Sequence, residues 1–325
     1  MGFSTPSSRS ITRGFDIHHH FIPPFYLDAL TQAGHPAAIQ AEALAWSPEK
    51  SVAMMDESKI KTAIVSLSLP GTSFTGAADP AALARQCNEY AARMISDHPG
   101  RFGAFASLPM LDAEAAISEI EYAFDTLKLN GVMLLSNIQG HYLGESNFDA
   151  ILSEINHRKT TVFLHPNQAP SPGYNDFVEF PHDITRALAS LTESGALERC
   201  PRIRYILAYG GGTIPFIASR VTVVGMDVFG SLMKTMKRYF KRVRIMQRMN
   251  YDLAAATDPF AWRALTGHTR PTRILLGSNY PWTPASYIEK VNNKLCDFNG
   301  FNKQDLIAIT HQNALKLFPR FGIPV

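Results

Sequence analysis

Eight short runs of apolar and β-branched residues punctuate the chain, at residues 14–20, 62–68, 102–108, 131–135, 160–165, 203–208, 251–253 and 272–276. Most show little polar alternation, the pattern of strands buried on both faces. The run at 251–253 is the short one. Between them lie stretches with apolar residues at three- and four-residue intervals, notably 80–97, 113–128 and 183–196. The first of these follows Asp79 and Pro80, an N-cap with proline at the first helical position. Strands that alternate with helices imply a parallel sheet, and eight parallel strands close into a barrel. An open doubly wound sheet is the competing arrangement, but no G-x-G-x-x-G follows the first run. The expected fold class is therefore α/β, a single (β/α)8 TIM barrel with mouth-loop insertions over residues 14–325. Residues 1–13 are expected to be a flexible N-terminal segment.

Two segments exceed the minimal pattern. Residues 167–182 bear proline and glycine and are expected to form a loop after the fifth strand, on the side where barrel active sites are built. Residues 231–249 hold seven Lys or Arg and no acid. That stretch reads as a solvated helix or subunit contact whose Met and Phe face the core, or else as a face for an anionic ligand or partner.

Composition narrows the function classes. At 46% hydrophobic and 18% charged, the 325 residues describe a folded chain with a large core. A net charge of +3 is too mild to argue for nucleic acid. Cys87, Cys200 and Cys296 are scattered, so neither a disulfide framework nor a cysteine zinc site is indicated. No apolar leader opens the chain and no run reaches membrane-spanning length. A cytoplasmic enzyme without a membrane partner is the expectation.

The candidate chemistry begins at Asp16-Ile17-His18-His19-His20. Alternate residues of a strand share a side, so His18 and His20 project together into a barrel mouth while His19 points to the helix layer. His165 also ends a predicted strand, and Pro166 stops that strand there. Three imidazoles meeting at the top of a barrel suit zinc, manganese or a similar divalent ion.

The segments DIHHHFIPPFY, VFLHPNQ, ILAYGGGTIPFIASR and LLGSNYPW, in this order, resemble the amidohydrolase superfamily. More narrowly, they resemble the branch of aminocarboxymuconate-semialdehyde decarboxylase and the aromatic-acid decarboxylases. The resemblance runs from about Phe15 to the C-terminal segment with Asn313 and Ala314. It implies a distorted barrel, a divalent metal, frequent homodimers, and loss of CO2 from a carboxylated ring or dienoate. His18 and His20 match the metal-binding pair, and His165 matches the third histidine ligand. Tyr209 stands where the family motif HGGG supplies a catalytic histidine. Asn279 stands where SDYP supplies an aspartate that binds metal and often handles protons. Asp252 also has a family counterpart, as a proton carrier or as a structural group.

These two exchanges shape the functional expectation. Asn279 cannot ionise, so the metal, most simply zinc with manganese as the alternative, is expected to be weakly bound or absent. Tyr209 replaces a group that titrates near neutrality with one that titrates near 10. Trp46, Ser68, Phe105, Asn137, Asn167, Tyr280 and Trp282 lie near predicted strand ends or mouth loops and suit a flat oxygenated ring. Arg220 is placed either to grip a carboxylate or to make a structural ion pair. The leading expectation is a lyase of secondary metabolism that decarboxylates an oxygenated aromatic, polyketide-like acid. The alternatives are a metal-poor barrel repurposed for cyclisation, dehydration or C–C rearrangement of a related substrate, and a silent homologue.

Overall fold

In the computed structural model, which describes residues 11–35, 44–168, 175–226 and 232–322, eight parallel strands follow one another around a ring. They are β1 (Gly14–Phe21), β2 (Ile60–Leu67), β3 (Phe102–Ala106), β4 (Gly131–Leu135), β5 (Thr161–His165), β6 (Arg204–Leu207), β7 (Asn250–Asp252) and β8 (Ile274–Leu275). Every residue of β1, β3, β4 and β5 is buried, which is why these runs carry no polar alternation. Beyond β8 the chain keeps bonding to β1: Ile17 N donates to Leu276 O at 3.0 Å, Asn279 N to His18 O at 2.7 Å and His20 N to Tyr280 O at 2.7 Å. Those bonds close the barrel. The expected eighth strand is shorter than its apolar run because residues Pro271–Arg273 form a 3-10 turn.

Among the described residues, ten helices of eight or more residues surround the strands: α1 (Pro24–Gln32), α2 (Pro48–Glu57), α3 (Pro80–Asp97), α4 (Ala113–Glu121), α5 (Asp149–His157), α6 (Asp176–Glu193), α7 (Ile214–Val221), α8 (Leu232–Arg248), α9 (Pro259–His268) and α10 (Ala285–Asp297). Two short helices, Lys303–Ile307 and Asn313–Leu317, end the fold. After them Phe318 and Phe321 pack on Phe15, with ring centroids 6.1 and 5.5 Å away. No helix among the described residues is long and apolar enough to cross a membrane.

Three expectations need correction. The helix expected at 113–128 is α-helical only to Glu121 and continues as a wider π turn over Tyr122–Thr126. The helix expected from residue 183 begins at Asp176, because the Asn175 side chain accepts from Phe177 N and caps it seven residues earlier. Pro181 sits inside that helix rather than ending a loop before it. Of the expected loop 167–182, residues 169–174 lie outside the described residues, as do residues 1–10 of the expected N-terminal segment. Ile11 is already buried against the barrel.

The basic stretch forms α8, with residue 231 outside the described residues. Its Met and Phe do not all face the core: Met246 is buried, but Met233, Met236 and Phe240 are exposed. The cation Arg242 takes the inside position instead. Its guanidinium donates to Glu198 at 2.8 Å and to the carbonyls of Thr222, Val224 and Thr192 at 3.0, 2.6 and 2.6 Å. A fully buried cation is tolerated only when paired and hydrogen-bonded in this way. Arg242→Ala should therefore lower stability by about 3–5 kcal/mol, since it strands Glu198 and three carbonyls. The exposed Arg244→Ala should change it by less than about 0.5 kcal/mol. Chemical denaturation midpoints check this, and equal midpoints for the two variants would contradict it.

Candidate metal centre and its cavity

Strand geometry brings three imidazoles together at one end of the barrel. One ring nitrogen each from His18, His20 and His165 lies within 4.8 Å of the other two, and all three residues are buried. Their Nδ1 atoms are engaged elsewhere. His18 Nδ1 lies 2.8 Å from the Asp252 carboxylate at the end of β7. His20 Nδ1 lies 3.2 Å from Ser66 Oγ, its register neighbour on β2, and His165 Nδ1 lies 2.8 Å from the Pro166 carbonyl. With Nδ1–H donating in each case, all three Nε2 atoms present lone pairs.

Those lone pairs fit a cation better than they fit one another. His18 Nε2 and His20 Nε2 face each other at 3.2 Å, and His165 Nε2 is buried with no hydrogen-bond partner. Two nitrogens sharing a zinc ion at about 2.0–2.1 Å stand roughly that far apart. Burial first, then the neighbouring imidazoles, holds His20 and His165 well below the usual histidine range. Both are therefore neutral at pH 7, the form that ligates.

The two exchanged positions border this cluster. Asn279 Oδ1 lies 3.2 Å from His20 Nε2, so its amide oxygen is available as a fourth donor. The Tyr209 ring stacks on His18 with centroids 5.4 Å apart and an interplanar angle of 17°. Both residues have left-handed backbones, with φ of +55° at Tyr209 and +60° at Asn279. Such a conformation costs a non-glycine residue about 1–3 kcal/mol and persists only where the surroundings impose it. Asp252 Oδ1 accepts from Tyr209 N at 3.1 Å, and Asn279 N is held by His18 O. Three residues on, Gly212 approaches α6 so closely that a Cβ would fall 1.9 Å from Pro181 O. The loop bearing Tyr209 is thus fixed from both sides.

Asp252 acts through these neighbours. It is fully buried and accepts from His18 Nδ1, Tyr209 N and Ala254 N. Burial pushes its carboxyl above the ordinary value, while His18 and the other donors pull it back in part. It orients His18 and the Tyr209 loop.

A cavity of about 730 Å³ opens over the cluster, with His165, Asn167, Tyr209, Asn279 and Trp282 in its wall. No Lys or Arg lines it among the described residues. The remaining sequence candidates are placed differently. Ser68 is buried and accepts from Trp282 Nε1 at 3.0 Å, so it holds a wall residue rather than lining the cavity. Tyr280 packs on His19, centroids 5.1 Å apart. Asn137 donates to Asp183 at 2.7 Å within a buried polar cluster that also contains Ser136. Trp46 donates to Ser51 Oγ at 2.9 Å, and that hydroxyl lies 3.0 Å from His19 Nε2. Phe105 is core, stacked on Phe163 at 5.3 Å and edge-on to Phe318 at 5.9 Å. Arg220 is exposed at the end of α7 and outside the cavity wall.

Sequence reasoning missed Asp16 as a structural anchor. It is fully buried, and its oxygens accept from His18 N and Ser278 N at 3.0 Å each, from His19 Nδ1 at 3.1 Å and from Ser278 Oγ at 2.6 Å. An acid two residues before the candidate ligand His18, at a strand interior, was the available signal. Ser66 carried none.

Comparison with known proteins places this geometry. A sequence-family model described as Amidohydrolase matches residues 15–320. Decarboxylase yanB of Aspergillus niger is 34% identical, with 95% of this chain and 88% of that protein covered. The 6-methylsalicylic acid decarboxylase of Penicillium expansum is 31% identical, with 94% and 96% covered. The crystal structure of 5-carboxyvanillate decarboxylase from Sphingomonas paucimobilis shares the fold at a TM-score of 0.77 and 18% identity, covering 95% of this chain and 99% of that one.

The Asp252 contacts generate a prediction. Asp252→Asn keeps an oxygen for Tyr209 N and Ala254 N but turns an amide NH2 toward His18 Nδ1, favouring the tautomer with a proton on Nε2. Zinc affinity, measured by competition with a chromophoric chelator, should fall by about 10–100-fold. Unchanged affinity would contradict the orienting role.

Proposed function

Because the chain belongs to the amidohydrolase family, we propose that it is a carbon–carbon lyase that removes CO2 from an oxygenated aromatic, polyketide-like carboxylic acid. The observation that carries this reading is the convergence of three imidazole lone pairs beneath a cavity whose described wall holds no Lys or Arg. Full-length relatives at 31–34% identity are named decarboxylases, which supports it.

His18, His20 and His165 would hold the divalent ion, with the Asn279 amide oxygen beside them. Zinc is the reading for a set of imidazoles with an amide oxygen, and manganese the alternative. When bound, the ion would supply positive charge for an anionic substrate. Because all four donors are neutral, that charge stays undiminished for an anionic substrate.

The remaining work falls to the chain's own groups. Trp282 and Phe180 offer aromatic wall on which a flat ring packs. The Tyr209 hydroxyl, on a residue of the cavity wall, is the acid in reach of the ring. As the C–C bond breaks, its electron pair passes into the ring and CO2 departs. The ring carbon takes the Tyr209 hydroxyl proton, and the phenolate is reprotonated from water. Asp252 is a positioning residue here. A homodimer belongs to the same reading, on the family resemblance.

Zinc-loaded protein should hold close to one ion per chain and release CO2 from hydroxylated benzoic acids. Tyr209→Phe should lower kcat by about 10²–10⁴ with little change in KM. CO2 trapping with parallel metal analysis checks both. The reading fails if the native protein, saturated with metal, releases no CO2 while the Tyr209→His/Asn279→Asp double variant does.

A further inference from the structure

The ring nitrogen that His165 turns away from the metal position is held by its own chain. His165 Nδ1 lies 2.8 Å from Pro166 O, and that carbonyl shares a peptide with Asn167 N. The peptide is trans and planar, so its C=O and N–H point in opposite directions and turn together. Asn167 N donates to Ser136 Oγ at 2.8 Å, while Ser136 N donates to His165 O at 2.8 Å. Ser136, the first residue after β4, therefore holds the chain on both sides of Pro166.

Behind Ser136 stands Asp183, fully buried on α6. Its carboxylate accepts from the Ser136 hydroxyl, from Asn137 Nδ2 at 2.7 Å and from Tyr142 OH at 2.5 Å. The cation within 4.0 Å of it among the described residues is Arg186, which is itself exposed. A buried carboxylate served mainly by neutral donors is costly to keep. Here it has a directional effect. Serine has one hydroxyl proton, and giving that proton to Asp183 leaves only lone pairs to face Asn167 N. Bonds chained in this way also polarise and strengthen one another.

We propose that Asp183 is a positioning residue of the histidine centre. Through Ser136 and the Pro166–Asn167 peptide it fixes the acceptor for His165 Nδ1–H, which keeps the His165 Nε2 lone pair aimed at the cation. His18 touches its carboxylate, Asp252, directly, whereas His165 reaches one through a hydroxyl and a peptide. The relay rests on the reading of His18, His20 and His165 as metal ligands, not on the release of CO2.

Three variants separate positioning from a purely structural role. Asp183→Leu removes the acceptor, and Ser136→Ala removes the relay hydroxyl. Tyr142→Phe takes a donor from the other oxygen of the same carboxylate and leaves the relay intact. All three should lower the melting temperature, as any loss from a buried polar cluster does. Only the first two should reach the imidazole. In metal-free, full-length protein labelled with 15N-histidine, the His165 ring is assigned by its absence in His165→Gln. It should be the Nδ1–H tautomer in the native protein and in Tyr142→Phe, and should shift toward Nε2–H in Ser136→Ala and Asp183→Leu. Zinc affinity, read by chelator competition, should fall about tenfold in those two variants and stay within about twofold in Tyr142→Phe. Ser136→Ala carries the test should Asp183→Leu fail to fold.

A native His165 with its proton on Nε2 would overturn the relay. So would an unmoved His165 tautomer in folded Ser136→Ala, or a loss of zinc affinity in Tyr142→Phe equal to that in the other two. CO2 release by a native protein whose His165 tautomer ignores Ser136 would sink the relay and leave the decarboxylase reading standing. The expected tautomer pattern without CO2 release from any acid would do the reverse.

Discussion

Asp16 lies under the seam where the end of β8 meets β1, and its two oxygens take hydrogen bonds from four donors on both sides of that seam. Hydrogen bonds to a charged acceptor contribute about 1.5–3 kcal/mol each, and here they also satisfy a carboxylate that is sealed from water. β8 itself pairs with β7 over only two residues, so the closure depends on the bonds that Leu276, Asn279 and Tyr280 make to β1. Ser278, held by Asp16, places Asn279 against the carbonyl of His18. The same carboxylate holds the backbone of His18 and the ring of His19. Barrel closure and donor placement are therefore one arrangement. Loosening the seam would separate the amide from the imidazoles as well as open the sheet.

Around that frame the site trades charge for neutrality. The family pattern expected a histidine and an aspartate where this chain has Tyr209 and Asn279. Both Tyr209 and Asn279 have a left-handed backbone and line the cavity. The amide oxygen near His20 can complete a donor set, though with weaker attraction for a cation than a carboxylate has. In exchange, an ion held there would have no charged group among its four donors, the nearest carboxylate being Asp252 behind His18. The cavity wall contributes no described Lys or Arg of its own.

The barrel was legible because its strands are buried on both faces, and the HxH alternation and His165 were legible because strand period and strand end both fix direction. The features that were not legible depend on tertiary approach. Pro181 reads as a helix breaker, yet Asn175 caps a helix that runs through it. Arg242 reads as one more solvated charge in a basic run, and only the carbonyls of Thr192, Thr222 and Val224 make it an interior residue. Trp46, Ser68, Asn137 and Tyr280 are near the mouth in sequence but serve as supports, because their polar atoms or rings are already engaged by Ser51, Trp282, Asp183 and His19.

The central claim is that His18, His20 and His165 share one cation through their Nε2 atoms. Anomalous diffraction from zinc-soaked crystals, collected on either side of the zinc edge, tests it most directly. The account predicts a single strong peak within about 2.0–2.1 Å of all three Nε2 atoms. A peak elsewhere, or three imidazoles hydrogen-bonded to water or to one another with no peak between them, would contradict it.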